Sequence, residues 1–291
     1  MSDILAMTKR NCLCYFRDRV SVFFSLMGVL IVILLYLIFL KDMLVNSFLD
    51  ELPDGTDPVQ VKQMVDAWVL AGVLAIVSVT TSAGSLQTMI QDKVSGRYRD
   101  SMMTSLTSAK VSAAYVLSTF FVGQIMSLIT FVIAIVYLSV TGCAMTFGGI
   151  ALTLILTVPA SLSGSIIVYA LTCRLGSEGA FSGFFTVLSV LIGFLTGIYM
   201  PLGTMSSWMA NLGSMMPATH IAALMRQTLG LEMYDKVMSA APADVMSDIR
   251  YTMGYDIEMF GVQFTPLMSV IYVIVVTVAF FGIAVLLNRK K

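Results

Sequence analysis

All 34 charged side chains of this 291-residue chain fall outside six apolar stretches, residues 20–40, 67–88, 113–140, 150–171, 180–198 and 267–287. An ionised group at the centre of a bilayer is costly, and about 20 apolar residues in helical form are needed to cross the hydrocarbon. Windows of that length cleared of charge are therefore read as transmembrane helices. The chain is 58% hydrophobic and 12% charged, against about 25% charged in average soluble domains. That balance excludes a disordered chain and an ordinary soluble domain. Net charge is zero, so the basic surplus that nucleic acid requires is missing. The expected fold is an all-α polytopic membrane protein with six transmembrane helices. Stretch 20–40 is longer than a signal-peptide core and lacks a small-residue cleavage site, so it reads as a retained span.

Loop charges set the expected orientation. Twelve basic residues fall on the side of the two termini and five on the other, while the acidic residues divide five to twelve the opposite way. Basic excess marks the cytoplasmic side, which places both termini in the cytoplasm. Cys12, Cys14 and Cys173 fall on that side or at its membrane edge, and Cys143 alone faces outward. No intrachain disulfide is expected. Cys12 and Cys14 lack a second pair or a nearby His, so no metal site is expected.

Residues 1–19 read as an amphipathic interfacial helix, with Ile4, Leu5, Thr8, Cys12, Tyr15 and Phe16 on one side and Arg10 and Arg17 on the other. Residues 91–110 start polar, turn at Gly96 and become amphipathic, with Tyr98, Met102, Ser105 and Leu106 sharing a helical face. That face fits either a groove on a cytoplasmic partner or a solvated connector resting on lipid. Hydroxyl and small residues form stripes in the spans: Ser78, Thr81, Ser85 and Thr88; Thr153, Thr157 and Ser161, near Pro159; and Gly183, Thr186, Ser189, Gly193 and Gly197. Such stripes serve packing within a subunit, a subunit interface or a mildly polar pathway wall. The region 199–266 is too apolar at its start for a free loop and too broken by Pro and Gly for a span. Two half-inserted helices fit it, carrying Pro201, Trp208, Pro217, His220 and Arg226. An acidic stretch follows, with a surface helix over 242–253 ended by Gly254. His220, the sole histidine, has no carboxylate partner inside the membrane and reads as a hydrogen-bonder rather than a proton carrier.

No P-loop, H-E-x-x-H or G-x-S-x-G occurs, and no carboxylate lies within a span. A catalytic role and an ion-coupled one both lack their usual residues. The chain is expected to supply a membrane path, with energy from elsewhere, and to hold no cofactor or metal.

Three segments carry a family resemblance. Residues 197–208, Gly-Ile-Tyr-Met-Pro-Leu-Gly-Thr-Met-Ser-Ser-Trp, precede Met216-Pro217-Ala-Thr-His220 and Arg226. Lys93-Val-Ser-Gly96-Arg97-Tyr98 lead to Met102 and Leu106. Tyr15-Phe16-Arg17-Asp18-Arg19 stand before the first span. Together they resemble the permease subunit of type-2 ABC transporters, mostly bacterial exporters. Thr204–Ser207 replace a second Pro frequent in that family, and the acidic extension 232–258 is longer than usual.

The resemblance implies two permease subunits, identical or homologous, and two copies of a separate ATP-binding subunit that holds ATP and magnesium. It implies a bacterial cytoplasmic membrane location. It also implies that Lys93, Gly96, Arg97, Tyr98, Met102 and Leu106, with Arg17 and Asp18 of the arm, couple to the ATPase. Ser78, Thr81, Ser85, Thr88, Thr186, Ser189, Gly193 and Gly197 would line the path, and Pro201, Trp208, Pro217, His220 and Arg226 would form the outer gate. An uncharged wall suits a hydrophobic or amphipathic cargo such as a drug, lipid or peptide. A lipid-linked polysaccharide exporter and a membrane sensor needing no ATPase are the alternatives.

Overall fold

The computed structural model describes the backbone of residues 2–53, 55–103, 106–239 and 241–289. Ser105, and Lys290 and Lys291 among the twelve basic residues counted above, lie outside that set. The regular structure of the described residues is helical apart from one two-stranded hairpin. Five of its helical segments are long and apolar enough to cross a membrane: Pro58–Val94, Ser108–Val140, Phe147–Thr172, Glu178–Leu195 and Pro266–Leu287. Four of them contain the expected spans 67–88, 113–140, 150–171 and 267–287, and the helix Glu178–Leu195 covers the fifth, 180–198, except its last three residues, where the chain turns at Gly197.

The first expected span is built differently. After α1 (Ser2–Arg17), α2 covers Arg19–Leu35, a π-helical turn covers Tyr36–Leu40, and α3 runs over Lys41–Glu51. The 17 residues of α2 reach roughly 25 Å at 1.5 Å per residue, short of the ~30 Å hydrocarbon core. Only together with the π turn does the segment approach crossing length.

Next comes α4 (Pro58–Ser85), with Asp57 as N-cap and Pro58 at its first turn. It bends at Leu86 into α5 (Gln87–Val94). Gly96, with φ of 84°, makes the corner into α6 (Arg97–Met102). Then follow α7 (Ser108–Val140), α8 (Phe147–Thr172) and α9 (Glu178–Leu195), begun by Thr107, Thr146 and Ser177, whose hydroxyls accept from Lys110, Gly149 and Ala180 N–H. The two short helices expected after the fifth span are α10 (Ser207–Ser214) and α11 (Pro217–Leu229). The acidic region forms α12 (Leu231–Met238), α13 (Ala243–Thr252) and the antiparallel strands β1 (Ile257–Met259) and β2 (Val262–Phe264). Last is α14 (Pro266–Arg289).

The bundle is organised around α4, most of which is buried inside the single chain. Its neighbours are α7, α8 and α11, with α2, α3, α9 and α12 completing the shell. Close approach explains the small residues. A Cβ on Gly123 of α7 would lie 2.4 Å from Ser82 Oγ and 3.3 Å from Ser78 O, and one on Gly164 of α8 would lie 3.1 Å from Val79 Cα. By contrast α14 is largely exposed and apolar, the surface a peripheral span offers to lipid. The bundle has two ends. An arm end gathers α1, α5, α6, the start of α7 and the end of α8. A cap end gathers α3 and residues 196–265.

Candidate functional site

At the arm end the organising group is Asp92, on the last turn of α5. It is 2% exposed, where a lone carboxylate would be strongly disfavoured. Its partners supply the compensation. Arg10 of α1 grips both oxygens, Nη1 on Oδ2 and Nη2 on Oδ1 at 2.8 Å. The Tyr115 hydroxyl of α7 donates to Oδ2 at 2.7 Å, and Arg97 of α6 stands 3.6 Å from Oδ1. Hydrogen bonding to the carboxylate holds Arg10 protonated far above the ordinary arginine range. Lys93, next in sequence, donates to the carbonyls of Cys173 and Leu175 at 2.6 and 3.0 Å. A cation thus meets the negative end of α8. The corner between α5 and α6 is in this way bonded to α1, α7 and α8 at once.

This bonding turns α6. Tyr98 stacks on Tyr115 with centroids 6.2 Å apart, and Tyr98, Met102 and Leu106 pack against the subunit's own core. The expectation turned those residues and Lys93 toward a partner; the structure occupies them within the chain, because the apolar face of α6 finds α7 first. Arg97, Arg99, Asp100 and Met103, the last 86% exposed, form the outward face instead. Gly96 keeps its expected turn. In the arm, Asp18 caps α2 by accepting Val20 N–H at 3.1 Å, and Arg17 is exposed. Thr8, Asn11 and Tyr15 are the buried face of α1, while Leu5 is exposed. Arg10, expected on the solvated side, reaches inward to Asp92.

The stripes divide between interior and surface. Ser78, Thr81 and Ser85 are buried inside the subunit, Thr88 is half-buried, and Ser78 and Ser127 hydroxyls meet at 2.8 Å. The stripe on α4 therefore serves helix packing in this chain. On α9, Gly183 and Thr186 are exposed, together with Ser182, Val187, Val190, Leu191 and Phe194. Ser189 is half-buried. Gly193 and Gly197 are buried under Tyr199 and Leu202: a Cβ would lie 2.1 Å from the Tyr199 ring and 2.8 Å from Leu202 Cγ. Gly197, at φ 73°, turns the chain out of α9.

At the cap end the residues expected to form a gate separate similarly. Arg226 is fully buried and meets no carboxylate among its described partners. Its Nη1 donates to Gly254 O at 3.3 Å, and its Nη2 to Thr196 O and Gly197 O at 3.3 and 3.2 Å. These carbonyls end α13 and α9, where a cation is favoured. The guanidinium lies 4.9 Å from the Trp68 ring centroid, and Trp68 Nε1 donates to Met253 O. His220 is also buried. Its Nε2 lies 2.8 Å from the Ser214 carbonyl, which only accepts, so Nε2 carries the hydrogen and Nδ1 accepts from Ser269 at 3.1 Å. A neutral ring linking α11 to α10 and α14 is the outcome expected of a hydrogen-bonder. Pro217 is buried at the start of α11, Pro201 is half-buried and Trp208 is exposed.

Sequence reasoning missed two buried carboxylates. Besides Asp92 there is Asp66 near the start of α4, bonded to Lys41 Nζ at 2.8 Å, Tyr36 at 2.9 Å and Tyr137 at 3.4 Å. Each lies just beyond a window edge, and neither has a local motif to flag it.

The described residues thus form a helical bundle with a buried central helix, a bonded corner at one end and a cap of short helices and a hairpin at the other. A family model described as ABC-2 family transporter protein matches residues 45–286. The chain belongs to that family, whose members are the membrane subunits of ABC transporters and associate with an ATP-binding subunit. No curated protein matches the chain.

Proposed function

We propose that this chain is the permease subunit of an ATP-driven exporter in a bacterial cytoplasmic membrane, with the arm end in the cytoplasm and α2 with its π turn as a sixth crossing. Two copies of an ATP-binding subunit, holding ATP and magnesium, dock beneath two permease copies. The docking face is Arg97, Arg99, Asp100 and Met103 of α6, with Arg17 beside it on the arm. The observation that carries this reading is the Asp92 junction. It bonds α6 to α1, α7 and α8, so a push on α6 reaches the arm and two long helices as one body. Rocking of the permease halves then alternates access.

The open face of α9, with Thr186 and Phe194 and no charge, turns to the second permease and the path. An uncharged wall favours a hydrophobic or amphipathic cargo. A lipid-linked polysaccharide would use aromatic platforms. Phe181 is buried and Phe184 and Phe185 are half-buried, leaving Phe194 as the exposed one of the four, so the small-amphiphile reading is favoured.

Affinity purification from the native membrane tests the proposal. An ATP-binding subunit is expected to copurify one-to-one with the wild type and to be lost from an Arg97→Ala/Met103→Asp variant that still inserts. Copurification unaffected by those changes would move the docking face elsewhere, and the absence of any ATPase from the wild type would end the reading.

A further inference from the structure

The hairpin at the cap end closes through two residues, Phe260 and Gly261, between the paired Met259 and Val262. Both have positive φ, 51° and 81°, as the tightest hairpin turns require. Glycine adopts that conformation freely. A bulky aromatic there is an outlier, since Asn, Asp or Gly suits the position. Phe260 is the one non-glycine residue with positive φ among those described. Asn211 of α10 holds it there, its Oδ1 accepting Phe260 N–H at 2.6 Å. The ring is not retained for internal packing, because Phe260 is 67% exposed.

The hairpin has two unlike faces. Ile257 opposite Phe264 and Met259 opposite Val262 make one apolar. Phe264 sets that face against His220 and Tyr272, with ring centroids 5.1 and 5.8 Å away. Glu258 opposite Gln263 makes the other polar, and both border a depression shared with Asp244, Asp248 and Tyr251. The chain then passes through Thr265 into α14, where Leu267, Ile271 and Ile274 are exposed apolar residues of a crossing helix. Only Thr265 separates Phe264 from the first turn of that exposed apolar helix.

We propose that Phe260, flanked by exposed Val262, is a membrane anchor that inserts at the boundary between head groups and acyl chains in the leaflet at the cap end. Its partner is the bilayer itself, and the strained turn is kept because the residues that would relax it have no apolar group to insert. Amphipathic elements place Phe and Leu at that depth with their polar face toward water. The proposal rests on α14 being a span and needs no ATPase.

The chain has two tryptophans, Trp68 buried and Trp208 exposed. In a Trp208→Phe background, Phe260→Trp is reconstituted into phosphatidylcholine vesicles brominated either near the glycerol end or near the methyl end of the acyl chains. The fluorescence in excess of the Trp208→Phe parent reports position 260. Quenching that is stronger from the glycerol-end bromine is expected. No quenching, as burial against a second copy would give, or quenching mainly from the methyl-end bromine, overturns the proposal. As a second measurement, Phe260→Asn in the full chain should melt at the wild-type temperature or above it. A fall of several degrees would show the phenyl packed within the fold, and would overturn the anchor.

Discussion

Arg10 and Asp92, 82 positions apart in sequence, meet as a two-pronged ion pair that ties the N-terminal arm to the corner that precedes α6. Removing one partner of a buried pair leaves the other without compensation and costs ~3–5 kcal/mol. Arg10 keeps partial access to water whereas Asp92 does not, so Arg10→Ala, which strands the buried carboxylate, should cost about 3 kcal/mol and Asp92→Ala somewhat less. The double variant should lose less than the sum, because the two groups share one interaction. Arg10→Lys keeps the charge but loses the fork. Thermal unfolding of the four variants in detergent checks this. Strict additivity would show that the pair is not coupled.

The glycines at the α4 contacts make a second prediction. At Gly164 a side chain would press on the backbone of Val79, its Cβ already 3.1 Å from Val79 Cα. Gly164→Val should cost at least about 3 kcal/mol as overpacking. Gly123→Ala meets Ser82 Oγ, which can rotate away, and should cost about 1 kcal/mol. Gly148, with open space around its would-be Cβ, is the control, and Gly148→Ala should melt at the wild-type temperature or slightly above it. Equal losses at all three positions would disprove the close-packing account.

Five crossing helices are legible in the sequence because the exclusion of charge from hydrocarbon acts residue by residue and needs no knowledge of neighbours. Pairing is not legible in that way. Asp66 stands one residue before the window 67–88 and Asp92 four after it, so both look like loop charges. Their partners Lys41 and Arg10 lie 25 and 82 positions away, with no periodicity connecting them. The amphipathic pattern of 97–106 likewise gives a face but no direction. That Tyr98 and Met102 turn inward follows from Tyr115 and the end of α8 being there to receive them. Among the hydroxyl stripes, burial separates α4 from α9, and a sequence stripe carries no information on which helix is central. The Pro217–Arg226 segment is readable as a short helix because Pro and Gly break the region too often for a span, while its full burial is not.

Arg226 supports a third prediction. Three carbonyls from the ends of α9 and α13 converge on one guanidinium, a geometry that a lysine ammonium cannot reproduce. Arg226→Lys should lose about 2 kcal/mol or more, since hydrogen bonds to a charged group are worth roughly 1.5–3 kcal/mol each. Loss of the guanidinium from above Trp68 should also change the indole emission, measured in a Trp208→Phe background. Wild-type stability with unchanged emission in Arg226→Lys would mean that the cation is not what locks the cap.

Cys143 supplies a prediction in pH. It sits between α7 and α8 at the cap end, buried, with its Sγ 3.7 Å from Gln63 O. Burial, reinforced by the charges of Asp66 and Glu232, pushes its thiol up to about 11. The neutral thiol is favoured, and the thiolate is the reactive species. From an ordinary value near 9, a rise of this size lowers the thiolate fraction at pH 8 about a hundredfold. In single-cysteine variants, a small alkylating reagent at pH 8 should modify exposed Cys14 quickly and Cys143 far more slowly. The Cys143 rate should then climb about tenfold per pH unit and level off only near pH 11. A Cys143 rate equal to that of Cys14 at pH 8, or a plateau below pH 9, would place this residue at an open surface and contradict the packed loop between α7 and α8.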